Sequence, residues 1–267
     1  MNFPETPSFS LKNKRALVTG AGRGIGAATA KKLTESGANV LVNDLDEEVA
    51  REVAGALPRA VAYPGDLTNL TMGDELVSAA IETFGGLDIV VNNAGYIWHS
   101  AIHNMTDEQW DEMIDIHVSA QFRVLRAYGR WLRKVASRES EIRKVVNISS
   151  TMGLHGGATQ LAYSAGKAAV VGLTRTLAKE WGRFNVTVNA VAFGSVMSAS
   201  LQGLLKDNSD FRSDIEKHTP IGRIAPASDV AETVQYLASE SAGFVTGQIL
   251  TVDGGRTLID PVSAPVH

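Results

Sequence analysis

Two hydrophobic rhythms alternate along the chain. Short β-branched apolar runs bounded by turn residues recur at 15–20 (RALVTG), 39–44 (NVLVND), 59–66 (RAVAYPGD), 87–95 (LDIVVNNAG), 143–150 (RKVVNISS), 186–194 (VTVNAVAFG) and 247–255 (GQILTVDGG). Such runs read as buried strands. Segments with helical period lie between them, at 26–38, 72–85, 106–136, 162–182 and 227–239. Gly37 and Gly182 are the expected stops of the first and fourth helices. Thr106, with Gln109 three residues on, predicts a capping box for the third. Strands that alternate with helices predict an α/β fold with a parallel sheet covered on both faces. No linker, repeat or low-complexity tract divides the sequence, so residues 1–267 are expected to form a single domain. Residues 195–226 lack a clean period, and a late irregular segment of this kind predicts a substrate-binding lid. The mixed charges of 137–144 (SRESEIRK) read as a solvated loop.

Composition narrows the chemistry. The 267 residues include no cysteine, which excludes disulfides, thiolate nucleophiles and cysteine-ligated zinc; no metal site is expected. A net charge of -4 speaks against a nucleic-acid partner, which needs a basic face. With 44% hydrophobic and 20% charged residues, no apolar run approaches the ~20 residues of a membrane span. The N-terminal stretch lacks a basic region followed by an apolar one, so a cytoplasmic protein is expected.

Between the first strand and the first helix stands VTGAGRGIG (18–26). Glycines at Gly20, Gly24 and Gly26 allow a sharp turn whose amide N–H groups face a pyrophosphate at the positive end of a helix. Eighteen residues past Gly26, Asp44 ends the second strand, where a carboxylate accepts from adenosine ribose hydroxyls and repels a 2′-phosphate. That favours NAD over NADP. Arg23, just before Gly24, argues the other way. Asp66, after the third strand, suits an adenine amino group or an ordinary Asx turn.

The glycine spacing TGAGRGIG (19–26), NNAG (92–95), the serine of NISS and YSAGK (163–167) occur in an order that resembles the short-chain dehydrogenase/reductase family across residues 12–255. The resemblance implies a Rossmann-type doubly wound sheet and a homotetramer. It also implies a hydride exchange between NAD(H) and a secondary alcohol or ketone. Carried over position by position, Gly20, Arg23, Gly24, Ile25 and Gly26 would line the pyrophosphate turn. Asp66 with Leu67 would meet adenine, and Asn93, Ala94 and Gly95 would stand beside the cofactor. Val196 would bind the nicotinamide carboxamide through its backbone. Ser150, Tyr163 and Lys167 would be catalytic, with Tyr163 and Lys167 also touching the cofactor. Ser150, His155, Gln160 and Tyr163 would touch substrate.

A free phenol, with pKa ~10, is a poor base at neutrality. Tyr163 and Lys167 are one helical turn apart, ~6 Å. At an effective dielectric of ~20 the lysine charge favours the phenolate by ~2.8 kcal/mol, about two pKa units. The small residues around them let the helix lie close to the sheet, at ~1 kcal/mol of propensity for Gly166. Two positions depart from the family. His117 stands where an asparagine usually completes a tetrad, and is read either as a water-linked proton path to Lys167 or as a brace for a backbone carbonyl of the long helix. Histidine here, with the VND after the second strand, also resembles a D-hydroxyacyl-CoA dehydrogenase branch and hints at acyl-thioester substrates. Phe193 replaces a proline, which is expected to loosen the turn below the late loop. Two rival readings are an NADPH-dependent β-oxoacyl thioester reductase and a non-catalytic dinucleotide sensor.

Overall fold

The computed structural model describes residues 8–135, 141–206 and 208–258. Each apolar run becomes a strand: β1 (Arg15–Val18), β2 (Asn39–Val42), β3 (Ala60–Ala62), β4 (Ile89–Asn92), β5 (Arg143–Ser150), β6 (Val186–Phe193) and β7 (Ile249–Val252). All but β5, which fills its run, are shorter than their apolar runs, because flanking turn residues leave the ladder to build the loops. They pair in parallel in the order β3-β2-β1-β4-β5-β6-β7. The order reverses between β1 and β4, and that switch point is where doubly wound sheets open a ligand crevice at their carboxyl ends.

Helices cover both faces. On one side α1 (Gly24–Glu35) packs against α10 (Ala227–Ala238), with Leu33, Val234 and Leu237 buried over Val40 and Val146. On the other, α3 (Met72–Phe84), α5 (Ala120–Val135) and α7 (Leu161–Trp181) bury Leu76, Tyr128 and Trp181 over Val90 and Val145. Two apolar layers sandwich β-branched strands, so both sheet faces are dry.

Several expectations need correction. The long helix is not continuous. It runs as α4 (Asp107–Ile114), a π-helical turn over Asp115–Ser119, and then α5, with the expected Thr106–Gln109 capping box at its start. A further helix, α2 (Glu47–Ala56), follows Asp46, whose carboxylate accepts from Val49 N. Residues 195–226 contain α8 (Ala199–Leu205) and α9 (Ser209–Lys217); both are short and α9 is polar, so their period is weak. Of the proposed solvated loop, 137–140 lie outside the described residues. Arg143 and Lys144 belong to β5, with Lys144 buried and Arg143 over the Trp131 ring. Phe193 does not loosen its turn: it pairs with both Ser150 and Val252, and Gly194 N donates to Val252 O. Gly182 caps the end of α7 as expected, in a right-handed conformation, and the left-handed one falls to Asn185, φ 57°.

Candidate active site

The carboxyl edge of β1, β4 and β5 gathers the residues singled out above. Gly24 has φ 54°, a left-handed conformation that favours glycine, and a Cβ built on it would meet nothing within 4 Å. Arg23, the N-cap of α1, makes no side-chain cap, and the first turn holds no acid. The opening N–H groups of α1, with Ile25 in that turn, therefore carry no side-chain cap at the positive end of the helix. This chemistry fits a pyrophosphate. Gly20 and Gly26 serve packing instead. A Cβ on Gly26 would strike the Gly20 carbonyl, and one on Gly20 would come within 2.6 Å of Ala94 Cα. Asn93 holds the turn by donating from Nδ2 to Thr19 O (2.9 Å) and Gly20 O (2.8 Å). Thr19 Oγ1 accepts from Asn93 N and Ala94 N. Sequence reasoning passed over Thr19, although it precedes the first glycine.

Asp44 Oδ2 accepts from Gly22 N at 2.8 Å, and Oδ1 accepts from Asp46 N at 3.2 Å. The carboxylate thus stands beside the glycine turn with lone pairs left for ribose hydroxyls. Arg23 is taken: its guanidinium meets Asp46 Oδ2 at 2.7 Å, and that hydrogen bond holds Asp46 below the usual carboxylate range. Asp46 was missed, though the run Asp46-Glu47-Glu48 is an N-terminal helix signal. Asp66 Oδ1 accepts from Thr68 N and Thr68 Oγ1, the Asx turn weighed above. Leu67 is a core residue, buried with Leu76 and Val90.

Ser150, Tyr163 and Lys167 come together. Ser150 is the last residue of β5; its Oγ accepts from Met152 N at 3.2 Å and hydrogen-bonds the Tyr163 hydroxyl. Lys167 Nζ donates to Ile148 O at 2.8 Å and lies 5.7 Å from the Tyr163 ring centroid. Ser149 Oγ donates to Lys167 O, and Asn147 Nδ2 to Thr174 Oγ1, so β5 grips α7 along its length. Burial pushes the Tyr163 phenol up to about 12, against the Ser150 bond that pulls it down. Burial also brings Lys167 down to about 7. The acidified phenol expected from Lys167 alone is therefore not what the protein presents. Desolvation acts on both groups at once, and a half-charged ammonium lowers its neighbour less.

His117, in the π turn, is fully buried. Its Nε2 lies 2.7 Å from Tyr96 O, which fixes Nε2 as the protonated nitrogen because a carbonyl only accepts. The braced carbonyl belongs to the loop after β4, not to the long helix. Burial, then the Lys167 charge, bring the imidazole down to about 3, so it is neutral throughout the physiological range. Its ring stands edge-on to Tyr163, centroids 5.1 Å apart at 85°. Gly95 and Gly166 make room for it. A Cβ on Gly95 would overlap the imidazole, and one on Gly166 would reach His117 Cβ at 2.9 Å. Nδ1 is buried and has no hydrogen-bond partner.

The remaining positions stand on the segments that follow β5 and β6. Val196 is buried and paired with Ala225, which anchors the start of the α8–α9 segment. Arg256 Nη1 reaches Ile215 O and Ser195 Oγ at its other end. His155 ends α6 (Met152–His155) and is exposed. Gln160 precedes α7, with Oε1 buried and unpartnered, and pairs with Ser100. Among the described residues no cluster of His, Cys, Asp and Glu is arranged to hold a metal, and no helix is long and apolar enough to cross a membrane.

A dinucleotide-type cleft with a Ser-Tyr-Lys cluster on a doubly wound sheet defines a class of oxidoreductases. A family model of enoyl-(acyl carrier protein) reductases matches residues 20–257. The chain is 36% identical over 255 residues to the hydroxy(phenyl)methylsuccinyl-CoA dehydrogenase subunit BbsD of Thauera aromatica, covering 94% of this chain and 99% of that one. It is 35% identical over 250 residues to the 3-oxoacyl-(acyl-carrier-protein) reductase FabG of Chlamydia muridarum, covering 92% and 98%. A crystal structure of a gluconate 5-dehydrogenase from Burkholderia cenocepacia, in complex with NADP and tartrate, superposes with TM-score 0.84 at 30% identity, covering 94% and 98%. A putative short-chain alcohol dehydrogenase from Sinorhizobium meliloti superposes with TM-score 0.88 at 33% identity, covering 95% and 100%. The chain belongs to the short-chain dehydrogenase/reductase family of oxidoreductases.

Proposed function

We propose that the chain interconverts a secondary alcohol and its ketone with NAD(H) as the hydride partner. The observation that carries this reading is the meeting of the Tyr163 phenol, the Ser150 hydroxyl and the Lys167 ammonium two strands from the glycine turn, across β4. A bound oxidised nicotinamide supplies a hydride acceptor and a positive ring. The chain's own work is proton transfer. Tyr163 would take the substrate's O–H proton as its carbinol C–H bond gives up hydride, and would return the proton in the reverse direction. Ser150 donates to the substrate oxygen and fixes its position. A charged Lys167 beside the Tyr163 ring favours the phenolate over the neutral phenol. His117 acts as a neutral positioning residue for Tyr163 and the loop after β4.

Three features favour NAD. Asp44 presents a carboxylate where a 2′-phosphate would sit, Asp46 adds a second acid, and Arg23 is engaged by Asp46. The second reading is an NADPH-dependent β-oxoacyl thioester reductase. It is supported by the activity in FabG's name and by the NADP in the gluconate 5-dehydrogenase complex. The Arg23–Asp46 pair is also exposed, and such pairs contribute about 0–1 kcal/mol, so a phosphate can compete for Arg23. BbsD's name describes a secondary alcohol on a CoA thioester, in line with an acyl-thioester substrate here. We further infer one domain with the α8–α9 segment as its lid, and a cytoplasmic homotetramer built through α5 and α7. A non-catalytic sensor would have no use for the Ser150–Tyr163–Lys167 cluster.

A screen of alcohols and ketones, followed by reduced-nicotinamide absorbance with NAD and NADP in parallel, tests the reading. The expected result is turnover with at least a tenfold preference for NAD, ~1.4 kcal/mol. An equal preference for NADP would overturn the cofactor assignment and favour the reductase.

A further inference from the structure

We propose that Tyr96 and Trp98 form one wall of the substrate pocket, and that Glu112 is the positioning residue that sets both rings. The wall selects alcohols whose carbinol carbon bears an aryl group over polyhydroxylated ones. The proposal rests on the dehydrogenase reading above and names its substrate class.

The loop carrying these rings is fixed at both ends to neighbours of Tyr163. At its start, Gly95 lies against the His117 imidazole and the Tyr96 carbonyl accepts from His117 Nε2, and His117 stands edge-on to the Tyr163 ring. At its end, Ser100 N donates to Thr159 O at 2.8 Å, and Ser100 pairs with Gln160, three residues before Tyr163. Residues 96–99 therefore run alongside the catalytic tyrosine.

Within that span the polar tips of two aromatic rings converge on a single atom. Tyr96 Oη lies 3.1 Å and Trp98 Nε1 3.0 Å from Glu112 Oε2 on α4. One carboxylate oxygen satisfies the polar ends of both rings and fixes their orientation, leaving apolar faces. Those faces are uncovered, with Tyr96 48% and Trp98 41% exposed, and Leu161 beside Gln160 is half-exposed at the same end of the loop. Large aromatic surface left in water gains free energy when a flat apolar group covers it. A polyol gains nothing from covering these apolar faces, and Glu112 Oε2 is already engaged by both rings. Burial, reinforced by Glu112, also raises the Tyr96 phenol, so that hydroxyl stays a neutral donor to Glu112.

The test uses the full chain with saturating NAD, and with NADP in parallel, on three alcohols: 3-hydroxy-3-phenylpropanoate, 3-hydroxybutanoate and gluconate. The expected order of kcat/KM is phenyl, then methyl, then polyol, with phenyl over methyl by on the order of tenfold. Trp98→Ala and Glu112→Ala each reduce that ratio toward one, mainly by raising KM for the phenyl compound. Trp98→Phe, which keeps a ring, retains most of the ratio. The Glu112→Ala result separates ring positioning from bulk, since Trp98 is still present. An unchanged ratio in Trp98→Ala overturns the wall. So does a change of oligomeric mass by light scattering without a change of ratio, which would assign the rings to a subunit contact. Turnover of gluconate or 3-hydroxybutanoate alone overturns the wall and leaves the dehydrogenase standing. Inertness of all three with both cofactors overturns both.

Discussion

His117 and Gly166 show how one side chain organises its neighbours. The sequence places a histidine where the family has an amide, and a glycine inside a helix where alanine is worth ~1 kcal/mol more. The structure joins the two facts: the glycine makes space for the imidazole. Gly166→Ala is expected to lose about 1–3 kcal/mol of stability by overpacking, despite its better propensity. In Gly166→Ala/His117→Gly, which removes the Cβ that the new methyl would strike, much of that loss should vanish, and urea titrations of the four proteins of the cycle measure the coupling. Independent, additive losses would contradict the contact. The same imidazole, down near 3, should leave no ionisation of its own in a pH–rate profile between pH 5 and 9. Tyr163 and Lys167 were readable as a pair because they lie one helical turn apart, whereas Ser150 was legible only through the family resemblance, since no local spacing brings a strand end to that helix. The Nε2–Tyr96 bond was legible in neither way, since it joins residues 21 apart across a loop.

At the scale of elements, the strands were legible because β-branched runs end in turn residues; β1, β2, β4, β5 and β6 are buried along most of their length, while the edge strands β3 and β7 are half-exposed and read from composition alone. Three features were hidden for physical reasons. The π turn over Asp115–Ser119 has no propensity signature, and amphipathic period continues on both sides of it. The α8–α9 segment presents mostly polar residues, so it carries little apolar period. The α2 helix is short, and its cap, Asp46, reads as one more acid in an acidic stretch until Arg23 is seen upon it. The β2–α2 junction makes its own prediction. Asp44→Ala removes the carboxylate beside Gly22 and should raise the NADP/NAD ratio of kcat/KM at least tenfold. An unmoved ratio would mean that cofactor choice lies elsewhere.

At the scale of the molecule, the buried cations shape stability. Lys167 is brought from 10.5 to about 7 and Lys144 to about 8, both by burial. The unfolded chain then binds more protons than the folded one between about pH 7 and 10.5, so stability rises with pH across that window. Tyr163, up at about 12, holds its proton longer when folded, so stability falls again above pH 10. Denaturant midpoints of the protein without cofactor should therefore climb from pH 7 to between 9 and 10 and then drop. Lys167→Met should flatten the climb; an equally steep climb in that variant would contradict the assignment. The account as a whole turns on the Tyr163 hydroxyl, and Tyr163→Phe removes that atom while keeping the ring against His117. The most direct measurement is kcat for this variant beside its Kd for the nicotinamide cofactor. The expected result is turnover reduced by about 10²–10⁴ with Kd within roughly threefold of the parent; undiminished turnover would contradict the account.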